Sequence, residues 1–248
     1  MNVVQRTWLR QSRTEYTAAA LTAQLVHWMV AMGLSPDLLR RGAQVIADEV
    51  DHAAICHALY LHAGGPPRQA AIQQQHLQHQ DDPQAPMHLR AISAAAGLAC
   101  EESVALPVFR LRVRNATEPK ALETVTTILR DEATHRAFAW DLLDELRGHL
   151  GLDLVRAWVR PRIAWWLRIY LTAELTDDEP VYTADELGWG LIDRREHWTS
   201  MRQTVETQVI PRFQRLDLLE PHVTGDDLIP ELVRRDGRLV PPWSRPAA

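Results

Sequence analysis

A five-residue pattern occurs twice and constrains this chain more than anything else in it: Asp48-Glu49-Val50-Asp51-His52 and Asp131-Glu132-Ala133-Thr134-His135. Each copy lies in a run with helical periodicity. Residues three apart on an α-helix point to nearly the same side. Glu49 and His52 can therefore grip one metal ion, and Glu132 and His135 another. Each copy also has an acid one helix upstream. Glu15 stands 34 positions before Glu49, and Glu101 and Glu102 stand 31 and 30 positions before Glu132. Two half-sites, each a Glu plus a Glu-x-x-His, make the six-ligand carboxylate set that a four-helix bundle holds around two metal ions. A lone Glu-x-x-His in a helix-rich chain is ordinarily a solvated pair. The doubled motif is different because the acids are so sparse. Glu15 is the only carboxylate between Met1 and Pro36, and Glu101 and Glu102 are the only ones between Met87 and Asn115.

Four long helices are predicted to carry these groups. The first runs from Ser12, as N-cap, to Met32, with Gly33 as its stop. The second opens at Ser35-Pro36, an N-cap followed by Pro at the first helical position, and runs to about His62. Residues 64–86 are polar, Gln-rich and Pro-flanked. They read as a long crossover, or one containing a short helix, with His76 and His79 exposed. The third helix spans about Met87 to Val113. Glu101 and Glu102 point about 100° apart on it, and the pattern of small residues after Glu102 favours Glu102 as the ligand, with Glu101 beside it. The fourth opens at Thr117-Glu118-Pro119 and runs to about His149. Two further helices are predicted, Leu152–Glu174 and Thr183–Arg215, with Pro161 as a kink or boundary. They hold Trp158, Trp165, Trp166, Tyr170, Trp189 and Trp198, read as packing on the bundle and walling a substrate cavity. His197 is a candidate extra ligand, although a single helical His is more often structural.

The motifs resemble those of the ferritin-like di-iron carboxylate superfamily over roughly residues 12 to 148. The doubled D-E-x-x-H is nearer the oxygen-activating branch, which includes the ribonucleotide reductase small subunit, the bacterial multicomponent monooxygenases and the p-aminobenzoate N-oxygenases. Two positions depart from those relatives. Ile128 stands where the N-oxygenases carry an extra His. Cys56 stands one turn after His52, where the reductase has its radical-forming Tyr. What the resemblance implies is an all-α fold, a ferritin-like four-helix bundle with two additional C-terminal helices. Residues 1–150 would form the bundle, 151–220 an extension packed on it, and 221–248 a Pro-rich tail. Glu15, Glu49, His52, Glu102, Glu132 and His135 would be the catalytic metal ligands for two Fe ions, or for an Fe/Mn or Mn/Mn pair. Asp48 would support His135 and Asp131 would support His52, with Glu101 and Cys56 nearby.

The activity so implied is a non-haem di-iron oxidase or oxygenase that uses O2 to oxidise a small organic substrate. Electrons would come from an external electron donor, because the chain has neither a flavin fingerprint nor a ferredoxin cysteine set. The alternative within the same superfamily is iron storage or peroxide detoxification. The aromatic extension after the fourth helix is unlike a bare ferritin, and no Cys-x-x-Cys module marks a rubrerythrin. Composition narrows the rest. A formal net charge of −5 with no basic tract gives no sign of a nucleic-acid partner. Two cysteines, Cys56 and Cys100, suit a reducing compartment rather than a disulfide framework. No signal-peptide core and no apolar run of membrane-spanning length stand out, so a cytoplasmic protein without a membrane partner is expected. A homodimer is the assembly to test.

Overall fold

The computed structural model describes residues 1–68, 72, 74–79, 84–167 and 182–228, and the backbone of two short strands at 233–235 and 238–240. Four long helices carry the fold: α1 (Val3–Ala31), α2 (Pro36–His62), α3 (Met87–Asn115) and α4 (Pro119–Leu150). Among the described residues the fold is all-α apart from one three-residue antiparallel strand pair, β1 (Val233–Arg235) with β2 (Arg238–Val240), which lies in the segment expected to be a tail. Helix α1 packs along α2 and α3 along α4, with α2 against α4 joining the two pairs.

Helix α1 begins ten residues earlier than its sequence suggests. Asn2 caps it: the Asn2 side chain accepts from the Gln5 amide at 2.9 Å, and the Gln5 side chain accepts from the Asn2 amide at 3.1 Å. This reciprocal box satisfies two of the unpaired N–H groups at the helix start. Ser12, expected as the cap, is instead buried in mid-helix, and its hydroxyl donates to the Ala53 carbonyl of α2 at 2.9 Å. Ser12→Ala should therefore lower stability by about 1 kcal/mol, read from chemical denaturation, with metal content unchanged.

The other three ends follow their local chemistry. Ser35 caps α2 in front of Pro36, and Glu118 caps α4 by accepting from the Ala121 amide at 2.6 Å. Gly33, Gly64 and Gly151 adopt positive φ just beyond α1, α2 and α4, a conformation that glycine reaches without steric cost. The crossover holds a short 3-10 turn at Gln74–Leu77. His76 is exposed, but His79 is not. Its backbone N–H donates to Gln24, its Nε2 lies 3.0 Å from the Leu21 carbonyl, and its ring sits 5.4 Å from that of Trp28. The crossover is thus docked on α1. By length and composition α3 could cross a membrane, which the sequence reading did not anticipate. Yet 89% of its most apolar stretch is buried inside the protein, so that surface faces the other helices.

Each of the two predicted C-terminal helices is interrupted within the described residues. Helix α5 (Leu152–Val159) passes into a 3-10 turn at Arg160–Arg162, around Pro161, and helix resumes at 163–167. The rest of the predicted helix to Glu174, Tyr170 included, lies outside the described residues. Trp158 donates to the Ser93 hydroxyl of α3 at 2.7 Å, and Trp166 joins the same apolar core as the bundle. Trp165 is 46% exposed and walls nothing. The expected helix from Thr183 to Arg215 is broken into α6 (Ala184–Leu187), α7 (Arg194–Thr204), a π-turn at Val205–Val209 and α8 (Ile210–Arg215). The break is a turn at Gly188-Trp189-Gly190, with Gly190 at φ 78, followed by Asp193, whose carboxylate caps α7 through the amides of Arg195 and Glu196. The turn is bolted to the bundle. Its Gly188 carbonyl accepts from Thr117 and Glu118, its Trp189 carbonyl from the Trp8 indole, and its Gly190 carbonyl from Arg112. One short helix, α9 (Gly225–Leu228), follows before the strands.

The apolar core comes in two bodies. One gathers Leu25 and Met29 of α1, Val45 of α2, Ala95 and Ala99 of α3, and Phe138 and Leu142 of α4. The other gathers Trp8, Leu59, Tyr60, Phe109, Val125 and Ile128. Along each of α1, α2 and α4 the residues that pass between the two bodies are polar and buried: Ser12 and Glu15, then Glu49 and His52, then Glu132 and His135. Glu102 of α3 is buried at the same level. A bundle that interrupts its core with four carboxyl groups and two imidazoles incurs a desolvation cost of several kcal/mol per charge unless something compensates them.

Candidate metal centre

All six groups singled out by the repeated motif meet in that layer, and none is more than 4% exposed. The ligating atoms of Glu15, Glu49 and His52 lie within 4.8 Å of one another, and so do those of Glu49, Glu102 and His135. Glu49 belongs to both groups and stands between them. One of its oxygens is 3.3 Å from His135 Nδ1 and the other is 3.7 Å from His52 Nδ1. Glu132 stands outside both groups, although its carboxylate meets that of Glu102. The sequence paired Glu132 with His135 in one half-site. Glu132 is near enough to His135 to help raise its imidazole, while Glu49 and Glu102 form the tighter group around it.

The imidazoles are set from the far side by a crossed pair of aspartates. His52 Nε2 is 3.2 Å from Asp131 of the opposite motif, and His135 Nε2 is 3.1 Å from Asp48. Each aspartate accepts an Nε2–H, which turns Nδ1 toward the centre of the bundle. A carboxylate in this position holds the ring, fixes the tautomer and raises the basicity of the inward nitrogen. Glu101 lies one step around α3 on a cavity wall, not in the layer. Cys56 is fully buried beneath Glu15 and Glu49, and burial and then the Glu15 charge push its thiol well above the usual range.

The donor set fits a metal. Four inward atoms, Glu49 Oε2, Glu132 Oε2, His52 Nδ1 and His135 Nδ1, have no hydrogen-bond partner. Buried lone pairs facing one another need protons or cations between them. With protons only, the site is strained in a consistent way. Burial, followed by the charges of its neighbours, drives Glu15 and Glu102 well above the ordinary carboxylate range and raises Glu132 as well. Burial acts on Glu49 too, but the facing imidazoles of His135 and His52 outweigh it and hold it at about 2. Burial lowers the imidazoles, yet Glu49 leads the acids that raise His52 and lift His135 to about 9. Oxygen and imidazole donors with no thiolate suit several first-row divalent metals, iron and manganese among them.

A pH dependence follows. Carboxyls raised in the folded state stabilise it below their unfolded values and lose that contribution as pH rises. The raised imidazoles lose theirs between about 6.5 and about 9. Chelator-treated protein should therefore melt at a lower temperature at pH 9 than at pH 6. Metal replaces those protons, so the stabilisation it confers should grow over the same range. Differential scanning calorimetry with and without metal reads both trends, and a gap that shrinks as pH rises would contradict this reading of the layer.

A cavity of about 110 Å³ opens beside the layer, between α1, α3 and α7. Glu15, Glu49, Glu102 and Glu132 form one end of it, while Val108, Phe109 and Met201 give it apolar walls. His197 of α7 is in the wall, 5% exposed. The sequence reading missed two polar residues there, Gln11 and Arg112. Both repeat the periodicity of a ligand: Gln11 is one turn before Glu15, and Arg112 continues the stripe Glu102, Ala105, Phe109 along α3. Comparison with protein-family models, with curated proteins and with solved structures found no match for this chain.

Proposed function

We propose that the chain is a ferritin-like di-metal oxidase or oxygenase. The observation that carries the reading is the shared position of Glu49 between two buried groups, each with its own imidazole and its own second carboxylate. That arrangement suits a bridging carboxylate between two ions. Bound as a pair of irons, or with manganese at one or both positions, the metals would supply the redox chemistry for oxidising a small organic substrate with O2.

The chain's own residues do the rest. Asp48 and Asp131 hold the two rings so that the Nδ1 lone pairs stay inward. The apolar bodies above and below exclude water from the layer, which strengthens every electrostatic contact within it. The cavity admits a substrate to the carboxylate end while Val108, Phe109 and Met201 shield it. Electrons would arrive from a separate donor protein. Cys56 and Cys100 are both buried, and burial pushes each thiol well above its ordinary range, so neither suits a redox relay.

An oxidase keeps its metals, whereas a storage protein passes iron onward into a mineral. Aerobic titration with Fe(II), followed by sizing chromatography, separates the two. Uptake should stop near two irons per chain, matching the two groups, on a small oligomer. A large cage that takes up many irons per chain would replace this reading with iron storage.

A further inference from the structure

Three arginines, Arg110, Arg136 and Arg212, gather on the flank of the bundle where the π-turn and α8 pack on α3 and α4. Two of them form a crossed pair. Arg136 and Trp140 stand one turn apart on α4, and Gln208 of the π-turn stands the same distance before Arg212 of α8. Arg136 donates to the Gln208 side-chain oxygen at 2.8 Å, and the Arg212 guanidinium lies 5.3 Å from the centre of the Trp140 ring. Both contacts are with neutral groups, so they place the two cations without neutralising either. The third, Arg110, is exposed on α3. Burial, then the charges of Arg110 and Arg212, act against the Arg136 cation. Among the described residues no carboxylate pairs with any of the three. Like charges held together repel, and guanidinium forks match the geometry of carboxylates brought to them from outside.

The patch backs onto the metal-binding layer. Arg136 directly follows His135 in sequence. Trp140 is 3% exposed, with the Phe213 ring edge-on to it at 4.9 Å. Its indole N–H donates to the Ser103 hydroxyl at 2.9 Å, and Ser103 directly follows Glu102. A continuous series of contacts thus runs from Arg212 through Trp140 and Ser103 to Glu102. Of these residues only Glu102 lines the substrate cavity, so the patch approaches the layer by a different side.

We propose that this arginine patch docks an acidic one-electron carrier protein of the iron–sulfur class, which delivers its electron to the layer from this side. In each encounter the carrier's cluster is oxidised by one electron and the metal pair is reduced by one. The inference rests on the di-metal reading for the use of the electron, but not for the docking. The chain carries a net charge of −5 and repels an acidic partner elsewhere on its surface. The patch would therefore set the orientation in which the carrier arrives. A merely structural cluster, tying α4 to the π-turn, would give no such binding.

The test uses the full chain, metal-free and iron-loaded, with a plant-type [2Fe–2S] ferredoxin as the acidic probe and affinities from calorimetry. Affinity should fall at least about tenfold from low to high ionic strength, because exposed charge pairs are screened. The triple variant Arg110→Gln, Arg136→Gln, Arg212→Gln should lose at least about tenfold in affinity at low salt. Arg147→Gln, which removes a cation of α4 already paired with Asp144, should lose nothing. In the iron-loaded protein the triple variant should be reduced by ferredoxin at least about tenfold more slowly than wild type, but by dithionite at the same rate. Should the triple variant not fold, the charge reversal Arg110→Glu at the exposed position should weaken ferredoxin binding in its place. Absence of ferredoxin binding at low salt overturns the proposal, as does binding that the arginine variants leave unchanged. Binding of pyrophosphate without binding of ferredoxin also overturns it, and assigns the patch to a small anion. A chain that takes no metal but binds ferredoxin through these arginines sinks the oxygenase reading and leaves the docking patch standing. A chain with two metals and no ferredoxin binding does the reverse.

Discussion

Replacing Glu49 and Glu132 together by alanine is expected to take the protein from about two bound metal ions per chain, one for each group, to none. Elemental analysis of protein loaded anaerobically with Fe(II) reads the change. The single variants should differ, because the two glutamates are not equivalent in the structure. Glu49 belongs to both groups and faces both Nδ1 atoms. Glu49→Ala alone should therefore weaken both positions, leaving each imidazole with one carboxylate. Glu132→Ala alone removes a residue that stands outside both groups and should cost less. A Glu132→Ala variant that loses metal as completely as Glu49→Ala would show that metal redraws the layer around the motif pairing read from sequence. The variants should remain folded. Glu102, Glu15 and Glu132 are costly to bury as anions, and removing one such group relieves the metal-free fold rather than undermining it.

Asp48→Asn and Asp131→Asn should each weaken metal binding by about 10–100-fold, the scale seen when a carboxylate behind a ligating histidine is lost. An asparagine can still accept the Nε2–H, so the ring stays in place. The loss is of charge, and with it the basicity of Nδ1. The two should not be equal. Asp131 also accepts from the exposed Arg130 at 2.9 Å and 3.2 Å, which already neutralises part of its charge. Among the described residues the donor to Asp48 beside His135 is neutral, the Gln44 amide at 2.8 Å. Asp48→Asn should thus be the more damaging of the pair. Competition with a metal-sensitive chelator measures both, and affinities unchanged in both variants would make the aspartates ordinary half-exposed acids.

The four long helices were legible because their signals are local. Ser35-Pro36, Glu118-Pro119 and the glycines after α1, α2 and α4 mark ends by backbone chemistry that tertiary context did not override. The start of α1 was misread for the same kind of reason. Ser12 and Asn2 are both good caps, and only the presence of Gln5 three residues after Asn2 distinguishes the reciprocal box. The ligand layer was legible because scarce acids were spaced at helical intervals. Sequence spacing says which residues share a face but not that Glu49 lies between both imidazoles. The break at Gly188-Trp189-Gly190 was missed because the flanking periodicity is strong, although two glycines and Asp193 were its signal. Arg112 was passed over for a different reason. In a chain whose cations are almost all arginine, one more at a helix end reads as solvated until the turn at Gly190 is seen to close over it.

The most direct test of the central claim is an anomalous diffraction experiment at the iron edge on crystals of the Fe(II)-loaded protein. Two peaks are expected in the buried layer, roughly 3.5–4 Å apart. One should lie among Glu15, Glu49 and His52, and the other among Glu49, Glu102 and His135. Iron found only at the surface, or a layer without any anomalous signal in fully loaded protein, would contradict the account.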